Sequence, residues 1–424
     1  MLDVLRKNPG FRLLWASQVV SQLGDWMGRI AIVTLIADLS SSDIGTYIGL
    51  LFAVELTLRL LPSVIFGPLA GPLADRMPRR ALMVTADLTR ALVVLGLTTI
   101  DEPGDLPLLY ALLVTQMSLS VFFESARSAS VPATLAREDL QAGYALSAAT
   151  WSTVLALGAY IGGELVDRFG TVRVFQLDAA TYVLSALLLR SLRMPPVPKH
   201  PQAFRWRDAV TFLELRRAYR HACERELLPA IFAKSFWGGA GGFLVLLSLM
   251  ARERFGLDAD GVFQQRIFAS AAGVLFLARG LGTGFGPVLT RHLFRSDDAS
   301  MKRQISVGFA FGAVGYAFFP LAPELWIAFA CVLFAHLGGS TIWVSSTVLW
   351  QRRAGDAFRG RLFALEMFSL TLAMICAALL AGVLFDSTQS LTTATWAICA
   401  LVVVGGTGWT VWRRHVDGQP PRCS

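Results

Sequence analysis

The charged side chains inside long apolar segments are the residues of this sequence best suited to do chemistry. Asp25 and Arg29 are four residues apart, and so are Glu55 and Arg59. Residues at this spacing share one face of a helix. A carboxylate that faces a cavity beside an arginine can gain or lose a proton when a bound solute disturbs the pair. The alternative interpretation of each pair is a permanent ion pair that only fixes helix packing.

Two later apolar segments each carry a further cation, Lys234 and Arg279. An ionisable residue inside a membrane segment is costly and usually faces a pathway or a partner. We therefore assign Asp25, Arg29, Glu55, Arg59, Lys234 and Arg279 to a predicted substrate and proton pathway. The two later cations would favour anionic or polar cargo.

The composition indicates that lipid surrounds the elements that carry these charges. Of the 424 residues, 54% are hydrophobic and 16% are charged, whereas soluble domains carry about 25% charged residues. Apolar runs of about 20 residues, long enough to cross a bilayer, alternate with short charged connections. These runs predict membrane spans near 13–37, 46–72, 80–100, 107–126, 143–166, 172–192, 227–249, 267–290, 305–322, 325–350, 362–385 and 391–411.

The net charge of +8 favours an orientation in the bilayer over nucleic-acid binding, because Lys and Arg cluster in alternate connections. By the positive-inside rule this basic side is cytoplasmic and both termini lie there. The expected location is the inner (plasma) membrane.

The long connection at 193–226 divides the predicted spans into six and six. It contains a Pro-rich start and a basic amphipathic helix, which we expect to lie along the membrane surface. The predicted domains are an N-terminal bundle at 1–192, a cytoplasmic linker at 193–226 and a C-terminal bundle at 227–424. The segment from Gly71 to Arg76 is echoed by Gly286 to Arg291, which suggests a repeat. The predicted fold class is an all-α, polytopic membrane protein with 12 transmembrane helices in two pseudo-symmetric six-helix bundles.

One connection carries a family signature. Gly71-Pro-Leu-Ala-Asp75-Arg76-Met-Pro-Arg79-Arg80 resembles the G-x-L-A-D-R-x-G-R-R loop of the major facilitator superfamily, with Pro78 in place of a glycine. The segments Ser125-Ala-Arg127 and Phe358-Arg359-Gly360-Arg361 agree with this resemblance. The whole chain resembles the branch of macrolide-efflux proteins and bacterial siderophore exporters.

The resemblance implies a cytoplasmic gate at this loop. Asp75 would hold the N-terminus of the eleventh span, near Arg361, when the cytoplasmic side is closed, since a carboxylate can accept hydrogen bonds from a helix N-terminus. The alternative is a charged turn that only follows the positive-inside rule. The predicted gate residues are Gly71, Asp75, Arg76, Arg79, Arg80, Arg127 and Arg361.

A second resemblance lies in the fifth span. The segment Gly158-Ala159-Tyr160-Ile161-Gly162-Gly163 is similar to the G-P-x-x-G-G antiporter motif of drug exporters, with Ala159 in place of the proline. The alternative is small-residue packing, because Gly158 and Gly162 form a GxxxG face.

These features favour a secondary active transporter, proton-coupled and exporting an amphipathic small molecule such as an antibiotic, a siderophore or another metabolite by alternating access. Uptake or lipid flipping by the same fold is the alternative, followed by a membrane-embedded enzyme or a non-transporting receptor. No G-x-x-x-x-G-K-[ST] loop for ATP occurs in the sequence, and its five histidines form no H-E-x-x-H spacing. We expect a non-enzyme, monomeric, without metal or cofactor, whose partners are its substrate, a proton or other coupling ion, and membrane lipids, and no nucleic acid.

Overall fold

The computed structural model describes residues 2–40, 47–74, 76–194, 213–295, 297–355 and 358–418. Regular structure in these segments is helical, and the β-type pairing found there is a single bridge between Leu257 and Phe263. The α-helices are α1 Leu2–Lys7, α2 Pro9–Leu39, α3 Ile48–Ala74, α4 Arg79–Gly96, α5 Leu106–Thr134, α6 Leu140–Arg190, α7 Leu213–Glu224, α8 Leu228–Trp237, α9 Ala240–Met250, α10 Gln265–Leu293, α11 Asp298–Phe318, α12 Leu325–Arg353, α13 Arg359–Thr388 and α14 Leu391–Asp417.

Eleven helical segments of the described chain are long and apolar enough to cross a membrane. One of them contains α6, whose 51 residues would extend about 75 Å, more than twice the thickness of a bilayer core. Gly170 interrupts α6 with φ 78° and ψ 169°, in a region of backbone space that glycine adopts readily. The helix turns there into two spans, which confirms the predicted total of twelve.

Local sequence determines where several helices begin. Pro9 occupies the first turn of α2, where a missing N–H costs nothing. The Asp297 carboxylate accepts a hydrogen bond from the Ser300 backbone N–H at 3.1 Å and so caps α11. The Ser300 hydroxyl and N–H both hold the pKa of Asp297 below its usual range. Ser390 caps α14 in the same way, by accepting from the Thr393 N–H at 3.2 Å.

The chain forms two compact units. Unit 1 comprises Met1–Gly45, Leu58–Phe204 and Ala251–Leu277, and unit 2 comprises Thr46–Thr57, Arg205–Met250 and Ala278–Ser424. The division at 193–226 drawn from sequence stays a prediction.

Helix α2 packs closely on α6 within unit 1. A Cβ added at Gly158 would lie 2.8 Å from the Trp26 Cβ, and one at Gly162 would lie 2.7 Å from the Met27 Cα. These glycines therefore let the two helix backbones approach each other. Because α2 carries Asp25, this packing also sets the position of that carboxylate.

The linker helix α7 packs on unit 2 through two alanines. Ala218 and Ala222 are fully buried in a cluster with Ile231, Trp350 and Leu362. Tyr219 of the same helix is 48% exposed. The Pro-rich start of the predicted linker, and its residues up to 212, lie outside the described residues.

Candidate functional site

A polar cavity of about 490 Å³ lies inside unit 1. Helices α2 to α6 each contribute at least one side chain to its wall, and most of these side chains are polar or charged. The wall is formed by Gln18, Ser21, Gln22, Asp25, Trp26, Arg29, Arg59, Arg90, Met117, Ser120, Phe123, Glu124, Arg127, Ser147, Ala148 and Trp151.

Arg90 on α4 joins a cavity-facing carboxylate to a buried one. Its side chain is 1% exposed. Nη2 donates to Asp25 Oδ1 at 2.6 Å and to the Tyr182 hydroxyl at 2.8 Å, and Nη1 donates to Asp87 Oδ1 at 3.2 Å. The Asp25 side chain is 23% exposed and that of Asp87 is fully buried. A change of charge at Asp25 therefore acts directly on a guanidinium that also neutralises Asp87.

Tyr182 and Ser185 of α6 complete this network. The Tyr182 hydroxyl donates to Asp25 and accepts from Gln116 Nε2 at 2.9 Å. The Ser185 hydroxyl donates to Asp87 Oδ2 at 2.6 Å. Four helices thus hold one ion-pair network, which we call the Arg90 network: Asp25, Asp87, Arg90, Gln116, Tyr182 and Ser185.

Aromatic rings and a second ion pair form other parts of the wall. The Arg29 guanidinium lies 5.6 Å from the Trp26 ring centre and 4.8 Å from that of Phe276. Arg127 Nη2 pairs with Glu124 Oε2 at 2.8 Å. Rings beside charges suit a cargo that is partly apolar and partly polar.

The sequence placed Asp25, Arg29 and Arg59 in a pathway, and all three line this cavity. Arg59 donates to the Met117 sulfur at 3.8 Å. Glu55 is 2% exposed and belongs to unit 2. Asp25 binds Arg90, 65 residues away, a partner that the four-residue spacing does not indicate.

The sequence analysis did not place Arg90 in the predicted pathway, yet Arg90 reaches the cavity wall. Tyr182 and Gln116 were missed altogether, because a polar residue on a long apolar helix does not reveal what it faces.

Lys234 lies in a compact ion pair in unit 2. Nζ is 2.9 Å from Glu366 Oε1 and donates to the Thr347 hydroxyl at 2.5 Å, and the Lys234 and Glu366 side chains are 1% and 0% exposed. Trp350 Nε1 donates to the same Glu366 oxygen at 3.0 Å. We call these four residues the Lys234 cluster. The cluster contains one acid, Glu366, and one base, Lys234.

Arg279 lies near two further polar groups of unit 2. It is within electrostatic range of Tyr316 and His336. The Tyr316 hydroxyl and His336 Nε2 are 2.7 Å apart. The histidine therefore has a hydrogen-bonded partner in the core. Within the described segments no group of three or more His, Cys, Asp or Glu side chains is placed to hold a metal ion.

The arginines of the predicted gate loop bind backbone carbonyls. Arg76 Nη1 donates to Pro72 O at 3.0 Å, Arg79 Nη1 to Ala129 O at 2.7 Å and Arg80 Nη1 to Leu192 O at 3.4 Å. These contacts fasten the loop to helix ends of unit 1.

The remaining gate residues lie in three different settings. Asp75 lies outside the described residues. Arg127 pairs with Glu124 in the cavity wall, and the Arg361 guanidinium lies 5.1 Å from the Phe358 ring centre. A Cβ at Gly71 would meet no described atom within 4 Å, so the described structure has room for a side chain there.

The antiporter-like segment packs closely against neighbouring helices. Gly158 and Gly162 face α2, as described above. A Cβ at Gly163 would lie 2.5 Å from the Ala269 carbonyl oxygen, and Ala159 is fully buried. Small side chains are required here for packing, whatever further role the segment has.

Comparison with known proteins identifies the family. The model of the Major Facilitator Superfamily matches residues 14–365. The enterobactin exporter EntS of Citrobacter koseri (strain ATCC BAA-895 / CDC 4225-83 / SGSC4696) is 25% identical over 388 residues, covering 90% of this chain and 86% of EntS. YfiS, an MFS-type transporter of Bacillus subtilis (strain 168), is 31% identical over 188 residues, and the match spans 44% of this chain and 43% of YfiS.

Solved structures share the fold. A POT family transporter in complex with a thioalcohol-conjugated peptide superposes with a TM-score of 0.73 at 14% identity, covering 96% of each chain. The predicted fold class, all-α and polytopic with twelve spans in two pseudo-symmetric bundles, is confirmed as the fold of this family. The chain is a multi-pass membrane protein that belongs to the Major Facilitator Superfamily, a superfamily of small-molecule transporters.

Proposed function

We propose that this protein is a secondary active transporter that exports an amphipathic small molecule in exchange for protons. The observation that carries the proposal is the Arg90 network at the wall of a 490 Å³ cavity within helices that span the membrane. Ionised side chains are expensive at that depth and are typical of substrate and ion pathways. If these charged side chains served only to pack the helices together, no cavity would be needed beside them.

The chemistry of the wall supports an amphipathic cargo. Trp26 and Trp151 meet edge to face with ring centres 6.2 Å apart and offer apolar surface. The guanidinium of Arg29 and the carboxylate of Asp25 lie in the same wall and can orient polar groups of either sign.

Proton coupling is supported by the position of Asp25. Its carboxylate is partly exposed to the cavity and shares Arg90 with a buried carboxylate. A proton and a cationic group of the cargo would each offset negative charge in this network, so the binding of one disfavours the binding of the other. Proton and cargo thereby compete for one network, which is the requirement for exchange.

Export is supported by relatives. EntS is named an enterobactin exporter and aligns over most of both chains. The solved structure compared above has 14% identity and bears on the fold alone. Uptake or lipid flipping by the same fold is the second candidate function.

The proposed setting is the inner membrane, with both termini and the basic loops on the cytoplasmic side. The cytoplasmic gate would be formed by the loop that contains Asp75 and by the N-terminus of α13 near Arg361. The protein would act as a monomer.

The test is metabolite profiling of cells that produce the wild-type protein, Asp25→Asn, or Asp101→Asn as a control. Asp101 is an exposed carboxylate between α4 and α5. Mass spectrometry of medium and cell extract should find a metabolite enriched in the medium with the wild type and with Asp101→Asn. The enrichment should vanish with Asp25→Asn and when a protonophore collapses the proton gradient.

Other outcomes contradict the proposal. A metabolite that instead accumulates inside wild-type cells would establish uptake. An enrichment that survives the protonophore would contradict proton coupling, and identical profiles with and without the protein would contradict transport of a cellular metabolite.

A further inference from the structure

Asp178 on α6 is a buried carboxyl group next to the Arg90 network. It is 1% exposed and packs against α2. A Cβ at Gly24 would collide with its Oδ1, and a Cβ at Gly28 with its Oδ2. Two glycines one helical turn apart on α2 thus make room for this one carboxyl group.

Within the described segments no Lys, Arg or His nitrogen pairs with Asp178, and its buried Oδ1 has no hydrogen-bond partner. Asp87 is buried to the same degree but contacts Arg90 and accepts from Ser185. Ionising a buried carboxyl group is expensive when one of its oxygens loses its hydration and gains no hydrogen bond in return. A proton on Asp178 removes that cost.

The charged and titratable groups around Asp178 come from four helices. They are Asp25 on α2, Arg59 on α3, Arg90 on α4 and Tyr182 on α6 itself. Of the carboxyl groups Asp25, Asp87 and Asp178, the first two already form ion pairs with Arg90. The geometry makes Asp178 the member that holds a proton, because the other two already accept hydrogen bonds from Arg90.

We propose that Asp178 is the carboxyl group that carries the coupling proton, an inference that rests on the proposed function. When a cationic group of the cargo pairs with Asp25 from the cavity, Arg90 is left to offset a negative charge on Asp178. The O–H bond of Asp178 then breaks, its electron pair stays on the carboxylate, and the proton passes to a water molecule of the cavity. Departure of the cargo reverses the step, and a hydronium ion returns the proton. Arg59 and Arg90 are the nearby cations that offset the transient carboxylate.

Infrared difference spectroscopy of the purified full chain tests the proton site without cargo. Between acidic and alkaline buffer the wild type should show the C=O stretching band of a buried protonated carboxyl group. That band should be lost in Asp178→Asn and in Asp178→Ser, whose smaller side chain also fits under Gly24 and Gly28. The control Asp101→Asn should keep it. A band that persists in both Asp178 variants overturns the inference.

The metabolite assay separates this inference from the proposed function. If wild-type export depends on the proton gradient, Asp178→Asn should abolish the gradient-driven enrichment while exchange of labelled for unlabelled metabolite across vesicles continues. Gradient-driven export by Asp178→Asn would overturn the coupling role and leave the proposed function intact. Export by the wild type that ignores the gradient would overturn the proposed function itself, even if the infrared band belongs to Asp178.

Discussion

The Arg90 network of unit 1 and the Lys234 cluster of unit 2 are both buried ion-pair systems, but they differ in stoichiometry and exposure. Arg90 contacts two carboxylates, and one of them, Asp25, is 23% exposed at a cavity. Lys234 contacts one carboxylate, Glu366, and both side chains are at most 1% exposed. The first system can exchange protons and ligands with the cavity, whereas the second is closed by Trp350 and Thr347.

This difference distinguishes charged side chains that can act in transport from those that only stabilise packing, although both kinds look equivalent in the sequence. An ionisable residue in a membrane span suggests a pathway, yet a one-to-one ion pair also offsets part of the cost of burial. We therefore propose that the Arg90 network acts in transport and that the Lys234 cluster has a structural role. This proposal replaces the expectation from sequence that Lys234 belongs to the substrate and proton pathway.

The largest effect is expected from Arg90→Ala. The substitution leaves Asp25 and Asp87 without their shared cation, and removing one partner of a buried pair costs about 3–5 kcal/mol of unfolding free energy. Denaturation in detergent should show that loss, and export should disappear. Arg168→Ala is the control, because Arg168 is 67% exposed in a surface pair with Glu164, where the expected change is below about 1 kcal/mol. Equal stability of the two variants would contradict the importance of the network.

Glu366→Leu should cost about 3 kcal/mol, because it leaves Lys234 buried without its carboxylate. Adding Lys234→Met should restore the stability, since an apolar pair of similar volume replaces the ion pair. The double variant should export at the wild-type rate per folded molecule in the metabolite assay. Loss of export by a stable double variant would place Lys234 in the pathway after all.

Gly162→Ala should destabilise the protein by about 1–3 kcal/mol, because the new Cβ would lie 2.7 Å from the Met27 Cα and α2 would have to move. Gly67→Ala is the matched control, since a Cβ there meets no described atom within 4 Å. It should be neutral or slightly stabilising, as alanine is the better helix former. Thermal denaturation distinguishes the two, and a neutral Gly162→Ala would show that α2 is not held by this contact.

The smallest effect is expected at Asp258, an exposed carboxylate in the connection before α10. Hydrogen bonds from the Val262 backbone, the Gln264 side chain and the Asp260 backbone lower the pKa of Asp258. Because its pKa is lower in the folded state, its contribution is complete above the ordinary value of about 3.9 and is lost as the pH falls through the lowered pKa. Asp258→Asn should therefore flatten the acid limb of melting temperature against pH. An unchanged acid limb would contradict this assignment.

The fold could be predicted from sequence because the membrane leaves few options. Lipid requires every backbone polar group of a span to be paired within its own helix, so hydropathy alone located the spans. The sixth span was found in the same way, although α6 runs without a loop through Gly170.

The site could be predicted only in part. Asp25, Arg29 and Arg59 were recognised because a charge in lipid is conspicuous in any sequence. Tyr182 and Gln116 were not, because polar residues that lipid tolerates carry no such signal. The GxxxG face at Gly158 and Gly162 was recognised and does face a helix, whereas a Cβ at Gly71 would meet no described atom within 4 Å.

The sequence by itself determined that this chain spans a membrane, how many times it does so, and which side chains are too costly to lie in lipid without a reason. Only the tertiary structure decided their partners. Arg90 joins Asp25 across 65 residues, and Lys234 meets Glu366 across a still longer separation. Helical periodicity relates residues within one turn or two of each other, whereas the contact between helices depends on how whole spans pack, which no local pattern encodes.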